Sequence, residues 1–408
     1  MSTEIIHESP TLKRVAADYW SRVKAGDIGA LPAILGLIAL CGIFGAMSNV
    51  FLTPGNFANL LTQAAAVIVI AMGLVFVLLL GEIDLSAGYA AGVSGAVLVI
   101  LITNHQVAWY IAFPISIVAG GLLGFILGSL IARIGIPSFV VTLAAFLAFQ
   151  GLLLLLAGEG GTIRIEDKTI LAVENSNLSP LLSWVFFVVV AVAYVATGLN
   201  RLNTRRRAGL KTELVKLWVI KTASLLIITG GAVFALNVER SNNPDLVSLK
   251  GIPYVVPLIL FLLAIGTFVL GRTAFGRHIY AVGGNAEAAR RAGINVKRVR
   301  ISAFVICSAL AAIAGMIFAS RQNSISPTTG GSSTLLYAVG AAVIGGTSLF
   351  GGKGKMRDAI LGGLVVAVID NGMGLLGYAA GIKFIVTGLV LLVSAGVDAV
   401  SRRGSSVG

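Results

Sequence analysis

Few side chains of this chain could do chemistry, and most of them sit where a polar group is expensive. Glu82 and Asp84 stand in GEIDLS between two apolar runs, and Asp370 with Asn371 lies inside a third. An acid enclosed by apolar sequence must face a partner, a polar cavity or a coupling ion. Asp84 and Ser86 read as caps of the run that follows or as a gate or partner contact, with Glu82 in the same turn. Asn56, Asn59 and Gln63 fall at i, i+3 and i+7 and therefore share one helix face. Gln150, Thr334 and Tyr337 extend the set, which with Asp370 and Asn371 could line a wet pathway. For each of these residues the plainer role is a hydrogen bond between helices.

A second kind of site lies in GRTAFGRHIYAVGGNAEAARRAGINVKRVR, residues 271–300, a basic island between apolar runs. Asn285 is a good N-cap and Ala286–Ala292 a run of helix formers. Glu287 stands in the first turn, Arg290 and Arg291 in the last, and Gly293 supplies a left-handed stop. So short a helix is marginal alone. The stretch is either a loop that only fixes topology or a docking helix for a soluble partner, with Ala288 and Ala289 permitting close approach.

Several chemistries are excluded or disfavoured. Gly372, Gly374 and Gly377 match a dinucleotide fingerprint but follow no strand, and Gly351–Gly354 around Lys353 lacks the spacing and the Ser or Thr of a phosphate loop. No nucleotide site of its own, no metal site and no enzymatic activity are expected. Cys41 and Cys307 lie in apolar runs and read as small hydrophobes, while His7, His105 and His278 have no partner at ligand spacing. The net charge of +13 is scattered between apolar segments, unlike a nucleic-acid face.

The elements that must position these residues are membrane helices. The hydrophobic fraction is 57% and the charged fraction 12%, against about 25% charged in soluble domains. The expected fold is all-α, a polytopic transmembrane bundle. Apolar runs occur at 31–50, 60–80, 86–104, 108–132, 138–157, 181–199, 217–237, 252–270, 301–320, 335–350, 359–378 and 382–400, about 12 segments, the tenth short enough to be re-entrant. Residues 1–30 form a polar tail, whose Leu12, Val15, Tyr19 and Val23 recur at helical spacing and suit an interfacial helix on lipid. The first run is too long for a signal peptide. With the N-terminus cytoplasmic, only Arg164, Lys168, Arg240, Lys250, Arg321 and Lys383 of the 30 basic residues fall outside, and the C-terminal tail, 401–408, is cytoplasmic too. Gly120, Gly124 and Gly128, and likewise Gly88, Gly92 and Ala96, predict two segments buried by close packing.

Three stretches, GEIDLSAG, GRHIYAVGGNAEAARRAGINVKRV and VIGGTSLFGGKGKMRDAILGGLVV, resemble the permease subunits of bacterial ABC importers for monosaccharides, the ribose, arabinose and xylose group. The resemblance covers about 31–160 and 252–400. Residues 161–250 form an insert with two extra segments, a length similar to that of xylose permeases. The resemblance implies a permease domain over 31–400 in the inner membrane of a bacterium, transporting a monosaccharide such as D-xylose. It also implies ATP hydrolysed by partner ATPase subunits, a periplasmic sugar-binding protein and a permease homodimer. Residues 285–293 would dock in the ATPase. Glu82 departs from the family, which usually has glycine there. A neutral sugar suits the sparse amides. The contrasting class is an ion-coupled secondary transporter using Asp84 or Asp370.

Overall fold

The computed structural model describes residues 31–158, 161–209 and 215–405, and the interfacial helix expected within 1–30 lies outside them. Each apolar run holds one helix: α1 (Leu31–Met47), α2 (Pro54–Leu78), α3 (Ala87–Thr103), α4 (Trp109–Ser129, continued by a π turn to Ile134), α5 (Ser138–Ala157), α7 (Pro180–Arg207), α8 (Val215–Asn237), α9 (Val255–Arg272), α12 (Val296–Gln322), α13 (Ser332–Ile344, so that 345–350 of the tenth run is not helical), α14 (Met356–Leu375) and α15 (Ala380–Ser405). Between them lie the short helices α6 (Lys168–Asn175), α10 (Ala274–Gly284) and α11 (Ala286–Arg291), and two-residue strands β1 (Ile163–Arg164) and β2 (Ser324–Ile325), paired antiparallel. Among the described residues eight helices are long and apolar enough to cross a membrane, and α1, α3, α13 and the apolar part of α15 are shorter. The chain is therefore an all-α multi-pass membrane protein.

Two compact units divide the described chain. In the larger, Gly29–Asn177 with Pro253–Ala399, α12 is the central element and packs on α2, α3 and α4. Small residues allow this. A methyl at Gly120 would lie 2.6 Å from the Ser308 carbonyl, one at Gly128 2.8 Å from the Ile301 Cα, and one at Gly124 would strike Phe304. The buried face foreseen for α4 is thus the face against α12.

Gly88 and Gly92 of α3 also face backbone, but of a different kind. Their partners are Gly330 and Thr329, in the irregular segment that leads into α13. The first turns of α3 and α13 therefore meet inside the unit, each preceded by non-helical chain, 79–86 and 323–331. At 1.5 Å per residue α3 reaches about 25 Å and α13 about 20 Å, both short of a roughly 30 Å hydrocarbon layer. Irregular backbone survives in such a place only when protein covers it, and Asp84, Ser86, Thr329 and Gly330 are all buried.

The smaller unit holds Leu178–Ile252. Here α7 and α8 run antiparallel, in a register fixed by Phe187 against Gly230 and the Trp218 indole against Gly198. Only 6% and 17% of their apolar windows are buried, compared with 78% for α2. Helices so apolar, and so little covered within the chain, have the composition of membrane-embedded segments. The expected insert began at 161, but β1 and α6 make their contacts with β2 and α12 in the larger unit.

Candidate functional site

The basic island folds as two short helices joined at a cap. Asn285 Oδ1 accepts from the Ala288 amide at 2.9 Å, the Ncap bond its side chain favours. At the other end Gly293 has φ +83°. Its amide reaches Arg290 O, and that of Ile294 reaches Ala289 O, both at 3.0 Å. This is the paired closure that a left-handed glycine permits. Glu287 pairs with Arg290 at 2.6 Å and Arg291 at 3.1 Å on its own helix, and hydrogen bonds from these two hold its carboxyl below the usual range. The two alanines differ. Ala289 is buried beneath the helix, whereas Ala288 is exposed with Glu287, Arg290 and Arg291. One small residue thus seats α11 on the unit and the other belongs to its free face.

Just before α11, two distant loops meet the last turn of α10 through backbone atoms. The Gly352 amide donates to Leu79 O at 2.8 Å. A methyl at Gly283 would overlap Leu79 O and stand 2.9 Å from the Gly352 nitrogen, and one at Gly351 would lie 2.8 Å from Gly283 O and 2.9 Å from the Gly81 nitrogen. Tyr280 Oη donates to Gly354 O at 2.7 Å. Glu82 pairs with Arg300 at 3.1 Å, so it ties this loop to the start of α12. Asp358, one turn into α14, accepts from the Lys355 amide at 2.7 Å and from Thr347 Oγ1 at 3.3 Å. The Gly351–Gly354 stretch that imitates a phosphate loop is therefore a packing surface.

Asp84 lies at the start of α3, fully buried. Its Oδ1 accepts from the Ser86 amide at 2.8 Å and the Ser86 hydroxyl at 2.6 Å. Of the two caps foreseen, only Asp84 takes a helix-end amide; the Ser86 side chain makes no capping bond. The physical reason is that a buried carboxylate needs donors more than the helix end needs a second acceptor.

The amide face of α2 meets α14. Asn56 and Asn371 exchange two side-chain bonds of 2.9 Å. Gln63 Nε2 donates to Asp370 Oδ2 at 2.6 Å, and its Oε1 accepts from Asn371 at 3.4 Å. Gln63, Tyr337 and Asp370 line a small cleft with Ala64, Val67 and Gly363. Asn59 looks elsewhere: its Oδ1 takes Arg321 Nη2 at 3.4 Å, while Arg321 Nη1 donates to Thr62 at 2.9 Å. Thr334 is half-buried near the start of α13, and Gln150 is exposed on α5, outside the cluster.

Charges not foreseen as partners complete the arrangement. Lys383 of α15 stands 3.4 Å from Asp370, which gives that acid its counter-ion. Glu174 of α6 lies 3.9 Å from Arg321, with its side chain 1% exposed. Burial pushes the Glu174 carboxyl up to about 8, against the pull of Arg321. Ser320 Oγ donates to Leu171 O and accepts from the Glu174 amide, both at 3.0 Å, and clamps α6 on the end of α12. In the sequence Lys383 and Arg321 carry no signal beyond their charge.

What remains is a capped helix that follows a glycine junction at one place and an amide cluster between α2 and α14 at another. The family described as the branched-chain amino acid transport system permease component matches residues 56–395. The chain belongs to this permease family. It is 34% identical to the xylose transport system permease protein XylH of Escherichia coli K12, over 95% of each chain. The Haemophilus influenzae XylH is 32% identical over 94% of this chain and 99% of its own length. The ribose import permease protein RbsC of E. coli K12 is 27% identical over 90% of this chain and 92% of its own. No solved structure matches.

Proposed function

We propose that the chain is the membrane-spanning permease of an ABC importer that carries a monosaccharide, D-xylose in the first instance, into the cytoplasm of a bacterium. The observation that carries this reading is the meeting of the loops 79–86 and 346–354 with the last turn of α10 at Gly283, two residues before the Asn285 cap of α11. A partner that pushes α11 moves Gly283, and with it the backbones of Leu79 and Gly352, which lead into α3 and α14. That is a transmission, and the chain has no phosphate loop to drive it. The energy comes from ATP hydrolysed by separate ATPase subunits docked around Asn285, Glu287, Ala288, Arg290, Arg291 and Gly293, with Ala289 as the seat of the helix.

In this reading about 12 segments cross the inner membrane, with both termini cytoplasmic and α13 as the short segment. The neutral donors and acceptors of Asn56, Gln63, Tyr337 and Asn371 suit a hydroxylated, uncharged cargo. Two copies of the permease form the pore, and a periplasmic binding protein delivers sugar. The similarity to XylH and RbsC over nearly the whole chain supports the substrate class.

Labelled xylose uptake into vesicles that hold the chain and its ATPase tests the reading. Uptake needs ATP and the binding protein and persists with an uncoupler present. Uptake that stops with the uncoupler yet survives loss of the ATPase contradicts it and favours ion coupling through Asp84 or Asp370. The topology has its own check: a reporter after Arg207 reports cytoplasm and one near Asn175 periplasm, and finding both on one side breaks the frame.

A further inference from the structure

The α7–α8 pair has two ends of opposite character. At the loop 238–251 the charges are consumed internally. Glu239 accepts from the amides of Arg240, Ser241 and Leu249 and from Ser248 Oγ at 2.8–3.0 Å, with Lys250 at 3.8 Å. Those backbone and hydroxyl donors lower its carboxyl to about 2. Arg240 in turn donates to the carbonyls of Leu236 and Gly251.

The other end is basic. Arg201, Arg205, Arg206 and Arg207 close α7, Lys216 opens α8, and all five are exposed. In the whole sequence from 178 to 237 the one acid is Glu213. The contact of Gly198 with Trp218 sets the level of these cations. Three residues beyond Gly198 stands Arg201, two residues before Trp218 stands Lys216, and in an antiparallel pair these positions are side by side. Arg205 follows one turn further on the face of Arg201. At 28 residues α7 measures about 42 Å, longer than a roughly 30 Å hydrocarbon layer, so its arginine-bearing turns extend into the headgroups. Trp218 marks the boundary, as interfacial aromatics do.

We infer that this end of the α7–α8 pair is a binding site for anionic phospholipid headgroups, formed by Arg201, Arg205, Arg206 and Lys216. Orientation alone asks for a few cations of any kind. Four of the five described here are arginines, whose planar fork matches a phosphodiester with two parallel hydrogen bonds. The flanking helices are apolar and little buried within the chain along nearly their whole length, so in a membrane lipid phosphate is the anion always within reach, and clusters of basic residues beside a membrane helix recruit it. The inference needs the chain to span a membrane. It does not need the sugar reading, since lipid retention is read without transport.

The test uses the purified full chain in neutral detergent. Cardiolipin or phosphatidylglycerol is added, with phosphatidylcholine and inorganic phosphate as controls, and retained lipid is counted by native mass spectrometry alongside the melting temperature. The expected result is selective retention of the anionic lipids, a raised melting temperature with them alone, and roughly tenfold or greater loss of retention in Arg201→Gln/Arg205→Gln/Arg206→Gln, since each cation contributes several-fold. The matching triple substitution to lysine keeps the charge but loses the fork and retains an intermediate share of the binding, above the glutamine variant and below the wild type, which separates loss of the site from failure to fold. Equal retention of neutral and anionic lipid, or no loss in the glutamine variant, overturns the site. So does displacement of lipid by millimolar inorganic phosphate, which would make it a free-anion site. Unchanged lipid retention with loss of ATPase copurification would overturn it in favour of a protein contact.

Discussion

The glycine junction at the end of α10 and the amide cluster between α2 and α14 are both polar contacts between elements far apart in sequence, yet they are built from opposite materials. The junction is backbone against backbone: Gly81, Gly283, Gly351 and Gly352 have no side chains, and closeness itself is the interaction. The cluster is side chain against side chain, where Asn56, Gln63, Asp370 and Asn371 keep their elements at helix distance. A junction of the first kind transmits displacement stiffly because nothing flexible lies between the parts. One of the second kind can exchange its partners for water or cargo hydroxyls without moving a helix. Under the proposed function, the difference suits the first region to motion and the second to passage.

The comparison breaks most sharply at Gly283. Gly283→Ala places a methyl on Leu79 O and forces apart the 2.8 Å bond from Gly352 to Leu79. We expect uptake to fall to background while the protein stays in the membrane, read by transport and by membrane fractionation. Wild-type uptake would mean that the junction is not a transmission.

Asp370→Asn should slow uptake severely, by about tenfold or more, because it removes the negative charge that faces Lys383 and leaves that cation unpaired in a largely apolar setting, while keeping one acceptor oxygen for Gln63. The double variant Asp370→Asn/Lys383→Gln sharpens the contrast. If Asp370 serves passage, the double variant stays slow; if it recovers, the acid only neutralises Lys383.

A smaller effect concerns pH. The Glu174 carboxyl titrates at about 8 in the folded chain against an ordinary 4.5. Between those values the folded state holds a proton that the unfolded state has lost, so stability is full below about 4.5, declines as pH rises through the window and levels above about 8. Glu174→Gln should remove that decline in melting curves taken from about pH 5 to pH 9. A slope unchanged in the variant would show that another group sets it.

Much of the first region was legible because its signals are local. Asn285, Glu287 and Gly293 announce start, first turn and stop within nine residues, and the helix ends within a residue of expectation. The glycines beside it were not legible as a junction: among 50 glycines close spacing arises by chance, and what they meet is other backbone far away in sequence, 68 residues for Gly283 and Gly351 and 270 for Gly351 and Gly81. In the second region the face shared by Asn56 and Gln63 follows from helical spacing, but their partners do not, since Asn371 and Asp370 are about three hundred residues distant. Gln150 shows the limit from the other side. It sits on a helix apolar all round, so no periodicity tells which way it points, and it points outward. Ser86 misled because a capping residue type also serves a buried carboxylate.

The central claim is that α11 receives the force of an ATPase, and Gly293 tests it most directly. Its φ of +83° suits glycine, and a β-branched side chain there costs about 1 kcal/mol or more, while no neighbouring atom lies in the way. Gly293→Val therefore disturbs the stop of the helix and nothing packed around it. Glu287→Ala, which removes one exposed, solvent-screened carboxylate, is the mild control. Copurification of the ATPase and ATP-driven uptake, measured together in membranes with equal amounts of inserted protein, should both be lost in Gly293→Val and only weakened in Glu287→Ala. If Gly293→Val keeps its ATPase and transports normally, the role assigned to this helix is wrong.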